Sequence, residues 1–276
     1  MKKIKIIFIL FIFIFSKCEK VVEIDVPSIQ PKLIIDAALE VYFNQDSITT
    51  NSNIKLSLSS DYFDEEIPAV TDATVFITNL ADNTIINYST IDDEGNYKPT
   101  SSFIPANDVE YELTVIYDDE IYKGKATKVK STPFTSVVQG DETLFSGEET
   151  ELKISFVDEP LVENYYLFNF DKNLYTTIDD TFFDGAEYNF SFFYSEDEVD
   201  LPETVNLKIL GITKEYYTYF QILNSQSGGS GGGPFESIPS SLLGNMINTT
   251  QEENFPLGYF HIAETDVFTL ELVEKN

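Results

Sequence analysis

Two kinds of chemistry are spelled out in this sequence, and each needs partners that the chain must bring together. Acidic clusters recur: "DYFDEE" at 61–66, "DDE" at 92–94 and 118–120, "DD" at 179–180 and "EDE" at 196–198. A pair of carboxylates flanking a cleft is the machinery of a glycoside hydrolase, but sequence spacing does not show two carboxyls facing one another. The same oxygens suit calcium, although no 12-residue EF-hand loop is present. The second chemistry is nucleophilic. Gly228-Gly229-Ser230-Gly231-Gly232 fits Gly-x-Ser-x-Gly, the serine elbow of hydrolases. That elbow needs a strand before it, a helix after it and a histidine base. Here a helical pattern precedes the glycines, Pro234 and Pro239 follow, and the one histidine is His261. Ser230 therefore reads as part of a glycine-rich loop, and the acidic clusters as solvated turns. No catalytic residue, cofactor or resident metal is expected, with calcium at an acidic turn as the alternative.

Composition narrows the field further. The chain has 276 residues with Lys+Arg 17 against Asp+Glu 47, a net charge of −30. All the basic residues are lysine. Nucleic-acid binding needs a basic footprint, so it is excluded, and so are bidentate arginine clamps on phosphate or carboxylate. One cysteine precludes an internal disulfide, and one cysteine with one histidine cannot build a zinc site of several such ligands. Phe 23 and Tyr 16, with frequent Thr, Val and Ile, favour pleated surfaces and predict an all-β protein.

The elements that would position these groups can be read in order. Lys2, Lys3 and Lys5 precede an apolar run from Ile6 to Phe15, too short for a bilayer span of about 20 residues but right for a signal sequence. The run ends beside Cys18, an arrangement similar to a bacterial lipoprotein signal, in which the cysteine is lipidated and becomes the first mature residue. Lys17 stands where such signals carry a small residue. The expected segments are a signal peptide at 1–17 and a lipid-anchored tether at 18–32. Removing Lys2, Lys3, Lys5 and Lys17 takes the basic count from 17 to 13 against 47 acids, near −34, so an anchor rather than the surface would hold the protein to a membrane.

From Leu33 the alternation is that of strands. "NIKLSLS" puts Ile54, Leu56 and Leu58 on one face, "YELTVIY" does so with Leu113, Val115 and Tyr117, and "IYDDEIY" reads as a hairpin with an acidic tip. Short strands with turn signals predict two β-sandwich-like units, one at 33–131 and an aromatic-rich one at 132–276. In the second, Thr213 can cap a helix near 213–225 that carries Tyr216, Tyr219, Phe220 and Leu223 at helical spacing. A Gly-rich loop at 226–234 follows. In "YFHIAE", alternation puts Tyr259, His261 and Ala263 on one face and Phe260 and Ile262 on the other, so His261 is expected as a strand-surface or partly buried ring.

"PAVTDATVFITN" followed by "STIDDEGNYKPT" resembles the transthyretin-like or carboxypeptidase-regulatory-like sandwich, an Ig-like module, with Gly95 at the turn and Tyr97 as a buried ring. "CEKVVEIDVPSIQPKLIIDAALE", then "VTDATVFITN" with "DDEGNYKPT", then "ITKEYYTYFQIL", "PFESIP", "GNMIN" and "PLGYFHIA" follow in that order over nearly the whole mature length. In this the chain resembles the Bacteroidota lipoproteins described as domain of unknown function 4249. The resemblance implies an outer-membrane lipoprotein, cell-surface or periplasmic, that serves as an accessory of a TonB-dependent transporter or other outer-membrane barrel. It supplies no catalytic residues. A surface hydrolase using a carboxylate pair and a purely structural subunit remain the alternatives. Partner contact is expected at Phe235, Pro239, Asn245, Tyr259 and Phe260, beside or within the long connection after the glycines. Asp46-Ser47-Ile48 resembles an O-glycosylation acceptor, with Ser47 as the modified residue.

Overall fold

In the computed structural model, the described residues are 30–45, 47–60, 66–144, 146–226 and 242–274. The signal segment, Cys18, Ser230, Phe235 and Pro239 lie outside them. The protein is all-β with one helix among the described residues. The strands of its first part are β1 (Leu33–Tyr42), β2 (Thr49–Asn51), β3 (Ile54–Leu58), β4 (Thr74–Asn79), β5 (Ile85–Thr90), β6 (Asn96–Pro99), β7 (Glu110–Tyr117) and β8 (Glu120–Val129). Then come β9 (Phe134–Gln139), β10 (Thr150–Val157), β11 (Tyr165–Asn169), β12 (Tyr175–Asp179), β13 (Glu187–Tyr194) and β14 (Glu203–Ile212). Helix α1 (Lys214–Gln226), β15 (Ile247–Asn248) and β16 (Leu257–Leu272) complete the chain.

The alternation read from the sequence governs which side chains go inside. Along β1, Leu33, Ile35, Ala37, Leu39 and Val41 are buried, while Ile34, Asp36, Ala38 and Glu40 face the other way. The β7–β8 hairpin turns on Asp118 and Asp119, both at positive φ (49° and 60°), a conformation short acidic side chains tolerate. Gly95 has φ +80°, and a Cβ there would meet Leu56 O at 2.1 Å, so the turn before β6 requires glycine. Asp92 holds that turn by accepting from the Glu94 amide at 3.0 Å and the Asn96 amide at 3.2 Å. Tyr97 is buried, and its hydroxyl donates to Val70 O at 3.1 Å.

Among the described residues two large cores form and share a strand, and a third, smaller cluster of Leu167, Leu210, Ile212, Tyr216 and Ala263 lies under α1. Among the described residues one 13-stranded sheet runs β12-β11-β14-β16-β1-β3-β6-β5-β4-β7-β8-β15, with β2 on β1, and a 3-stranded sheet runs β13-β10-β9. β16 is long enough to serve twice. Leu257 to Thr265 pair in parallel with Ile34 to Tyr42 of β1, and Thr265 to Leu272 pair antiparallel with β14. Ile262 and Ala263 also pair with Lys128 and Val129 of β8, so β16, β1, β3, β6, β5, β4, β7 and β8 close into a ring around the first core. Phe260 and Ile262 enter that core. Leu272, with Phe268 and Leu270 packed alongside, belongs to the second, which contains Phe156, Phe168, Phe170 and Tyr194. Met246, Phe260 and Ile262 thus join the first core from beyond residue 131, and Pro31–Asn276 makes one compact unit.

Candidate functional site

Where β1 turns its outer face away from the first core, α1 lies over it without closing on it. The helix starts as its sequence requires: Thr213 Oγ1 accepts from the Tyr216 amide at 3.2 Å. Tyr217 anchors it, donating to Asp179 Oδ2 at 3.0 Å and packing 5.0 Å from the Tyr165 ring. The Lys214 ammonium donates to Glu163 Oε1 at 2.8 Å. Between helix and sheet lies a groove of about 920 Å³, within the range of small-molecule sites. Its floor is Ile34, Asp36, Ala38 and Glu40 of β1, with Leu257, Tyr259 and His261 of β16. Its wall is Tyr216, Tyr219, Phe220 and Leu223 of α1, with Tyr175 of β12 packed edge-on against Phe220 at 5.6 Å.

The aromatic side chains form one cluster. Tyr216 packs 4.8 Å from Tyr259 and 5.9 Å from Tyr219, and Tyr219 lies 4.9 Å from Tyr259. His261 stacks on Tyr216 with 4.1 Å between centroids. Burial pushes the imidazole pKa down to about 4, so the ring is neutral at pH 7. Its Nδ1 is buried with no hydrogen-bond partner among the described residues.

The charges of the groove differ in how they are matched. Glu40 accepts from Lys208 Nζ at 2.7 and 3.0 Å and from the Tyr42 hydroxyl. Lys32 sits 3.2 Å over the Phe255 ring. Asp36 has no ion pair within 4 Å and no hydrogen bond among the described residues. Water reaches Asp36 through the groove mouth, yet the protein packed around it raises its pKa, against the weaker pull of Lys55 on β3. Burial and the Asp36 charge together push the Tyr219 hydroxyl up to about 12.

The residues singled out in the sequence fall in different places. Tyr259 lines the groove and His261 lies beside it on the same face, as alternation required. Phe260 is wholly buried in the first core and has no surface to offer a partner. Asn245 is a structural bracket: its amide donates to Phe260 O at 2.7 Å and Lys125 O at 3.1 Å and accepts from the Phe260 amide at 2.8 Å. Ser47 is exposed. The "DD" pair splits, Asp179 bonding Tyr217 while Asp180 turns inward.

Asp180 joins Asp158 and Asp184 in a group whose carboxylate oxygens lie within 4.8 Å of one another. The sequence did not reveal this trio, because its members come from two loops. Asp158 accepts from Tyr166 Oη at 2.6 Å and the Gly185 amide at 2.9 Å, Asp180 from the Asn164 amide at 2.7 Å, and Asp184 from the Leu161 amide at 2.8 Å. Burial, then the neighbouring Asp158 and Asp184, raises the Asp180 pKa against that amide bond. The oxygen donors are of the kind calcium takes; the hydrogen bonds already give them a role in joining the 158–164 and 180–186 loops. A smaller polar pocket of about 420 Å³ lies at Thr50–Ser52 and Lys98–Phe103.

Comparison with known proteins gives a family and little else. A family model described as domain of unknown function (DUF4249) matches residues 19–268. No curated protein matches the chain. Among solved structures, the chicken CNTN1 FN1-FN3 domains align at 13% identity and TM-score 0.18, covering 64% of this chain and 61% of that one. The chicken interferon gamma receptor alpha chain aligns at 10% identity and TM-score 0.19, covering 66% of this chain and 88% of that one.

Proposed function

The chain belongs to the DUF4249 family, and from that premise we propose that it is a non-catalytic, lipid-anchored outer-membrane protein, an accessory or binding component of a TonB-dependent uptake system or other outer-membrane complex. The observation that carries the binding role is the aromatic groove of about 920 Å³ beneath α1. Large, mostly apolar concavities with a few placed polar groups are where proteins take ligands. The location rests on Lys2, Lys3 and Lys5, the apolar run to Phe15, and Cys18 as the lipidated residue.

A carboxylate-pair hydrolase is the rival with an observation behind it, since Asp36 and Glu40 both line the groove. Four residues along a strand separate their Cα atoms by about 13 Å, and glycosidase carboxyls stand at most about 9.5 Å apart. Lys208 holds Glu40 in place, so the pair is a poor clamp for a scissile bond.

Affinity purification of the tagged protein in mild detergent tests the role. Co-purification of an outer-membrane barrel is expected; recovery of the protein alone refutes the assembly. Cys18→Ala tests the anchor, since the variant should move to the soluble fraction, and retention in membranes contradicts lipidation at that residue.

A further inference from the structure

Resting on the reading of the groove as a binding site, we infer that its ligand is an organic cation: an ammonium group borne on an apolar or aromatic body, with the charge at Asp36 and the body among Tyr216, Tyr219 and Tyr259. The argument begins with the charges that face the groove. Glu40 on β1 is matched by Lys208 from β14 at 2.7 Å. Lys32 lies over the Phe255 ring and donates to Phe255 O at 3.4 Å. Lys55 of β3 is the register partner of Asp36 but stands beyond ion-pair distance. Glu215 of α1 adds further negative potential at Tyr259. Among the described residues two lining charges have no ion pair: Lys32, whose ammonium is seated on the Phe255 ring, and Asp36, a carboxylate that opens on the ring-lined trough. A carboxylate so placed gains most from a cation brought to it.

The rings point the same way. Tyrosine faces are negative and attract ammonium groups within about 6 Å of the ring centre. Tyr216, Tyr219 and Tyr175 lie near enough to Asp36 for its charge to raise their pKa values, so the carboxylate and the rings act on one volume. His261, neutral at pH 7, places no positive charge against such a ligand, and its buried Nδ1, without a partner among the described residues, leaves hydrogen-bonding capacity beside the rings. An anionic ligand would meet Asp36, with no arginine in the chain and, among the lining residues, one lysine, Lys32, already seated on the Phe255 ring. The net charge of −30 also raises the local concentration of cations. A free amine and a lysine-bearing peptide present the same group.

The test is calorimetry on the mature chain in mild detergent. The probes are phenethylammonium, phenethyl alcohol, 3-phenylpropionate and the peptide acetyl-Phe-Lys-Phe-amide. Phenethylammonium or the peptide should bind at least about tenfold more tightly than the alcohol, and 3-phenylpropionate should not bind. The tighter of the two cations tells which source the groove prefers. Asp36→Asn should remove the advantage of the cation while leaving the alcohol unchanged, which shows the variant still folded. Tyr219→Ala should weaken the cations and the alcohol alike. Equal affinity for ammonium and alcohol, or an Asp36→Asn variant that binds the cations undiminished, overturns the inference while keeping the groove as a site. Binding of none of the four probes overturns the groove as well.

Discussion

Single side chains carry the sharpest expectations. His261 is neutral because burial, not a neighbouring charge, holds its pKa near 4. Its folded pKa lies below the ordinary value of about 6.5, so its contribution to stability is intact above that pH and is lost as pH falls toward 4. His261→Phe, which keeps a ring against Tyr216, should therefore gain on the native protein by about 2–3 kcal/mol between pH 7.5 and pH 4.5, measured by urea denaturation. A gap that stays constant with pH would show the histidine free to protonate in the fold. Asp180 has the opposite shift: its raised pKa favours the folded state at low pH and costs stability as pH climbs through the folded value. Asp180→Asn keeps an acceptor for the Asn164 amide and removes a charge beside Asp158 and Asp184. Its Tm at pH 7 should rise by about 2–4 °C, and the gain should vanish near pH 3; a fall at pH 7 would mean that a bound cation needs the carboxylate. These two residues differ in how far the sequence exposes them. The facing of His261 follows from strand alternation, whereas the Asp158–Asp180–Asp184 group depends on two loops meeting.

Elements were legible where periodicity is local. The helix expected near 213–225 is Lys214–Gln226, with Thr213 at its cap and Tyr216, Tyr219, Phe220 and Leu223 on one side. What spacing cannot give is the surface that stripe meets, because the outer face of β1 reads as an ordinary solvent face until α1 is laid over it. The same holds for the joint between β8 and β16. There Lys128 and Glu264 pair at 3.3 Å with side chains only 9% and 14% exposed, and Glu264 also accepts from the Ser131 amide at 3.4 Å. Neither residue stands out in sequence. Lys128→Met leaves a desolvated carboxylate without its partner and should cost about 3–5 kcal/mol, while the double variant Lys128→Met, Glu264→Leu should recover most of that. Chemical denaturation of the two variants separates the cases; equal losses would place the stabilisation in Lys128 itself rather than in an unpaired Glu264.

At the scale of the molecule, the all-β class was readable from composition and alternation, but the closure of the first core was not. It depends on β1 and β16, strands from opposite ends of the described chain, pairing in parallel, and no local pattern encodes a partner so distant. Charge is the other whole-chain property, and it is read directly. With 47 acids and 17 lysines, every lysine could be paired and −30 would remain. Self-repulsion of that size penalises the compact state. Raising salt shortens the Debye length from about 30 Å at 0.01 M to about 10 Å at 0.1 M and so weakens the repulsion. It also weakens ion pairs such as Lys125–Glu110 and Lys214–Glu163, but these are more than half exposed and contribute little. The repulsive term wins on numbers, because lysine limits how many pairs can oppose it. Going from 0.01 M to 0.1 M NaCl at pH 7 should thus raise Tm by about 3 °C or more, roughly 1 kcal/mol for a chain of this length. Potassium chloride at equal ionic strength separates screening from specific binding of sodium, and calcium chloride at equal ionic strength would exceed both only if a carboxylate group such as the Asp158 trio holds the ion. A Tm that falls with added sodium chloride would mean that local pairs, not the summed charge, govern the stability of the fold.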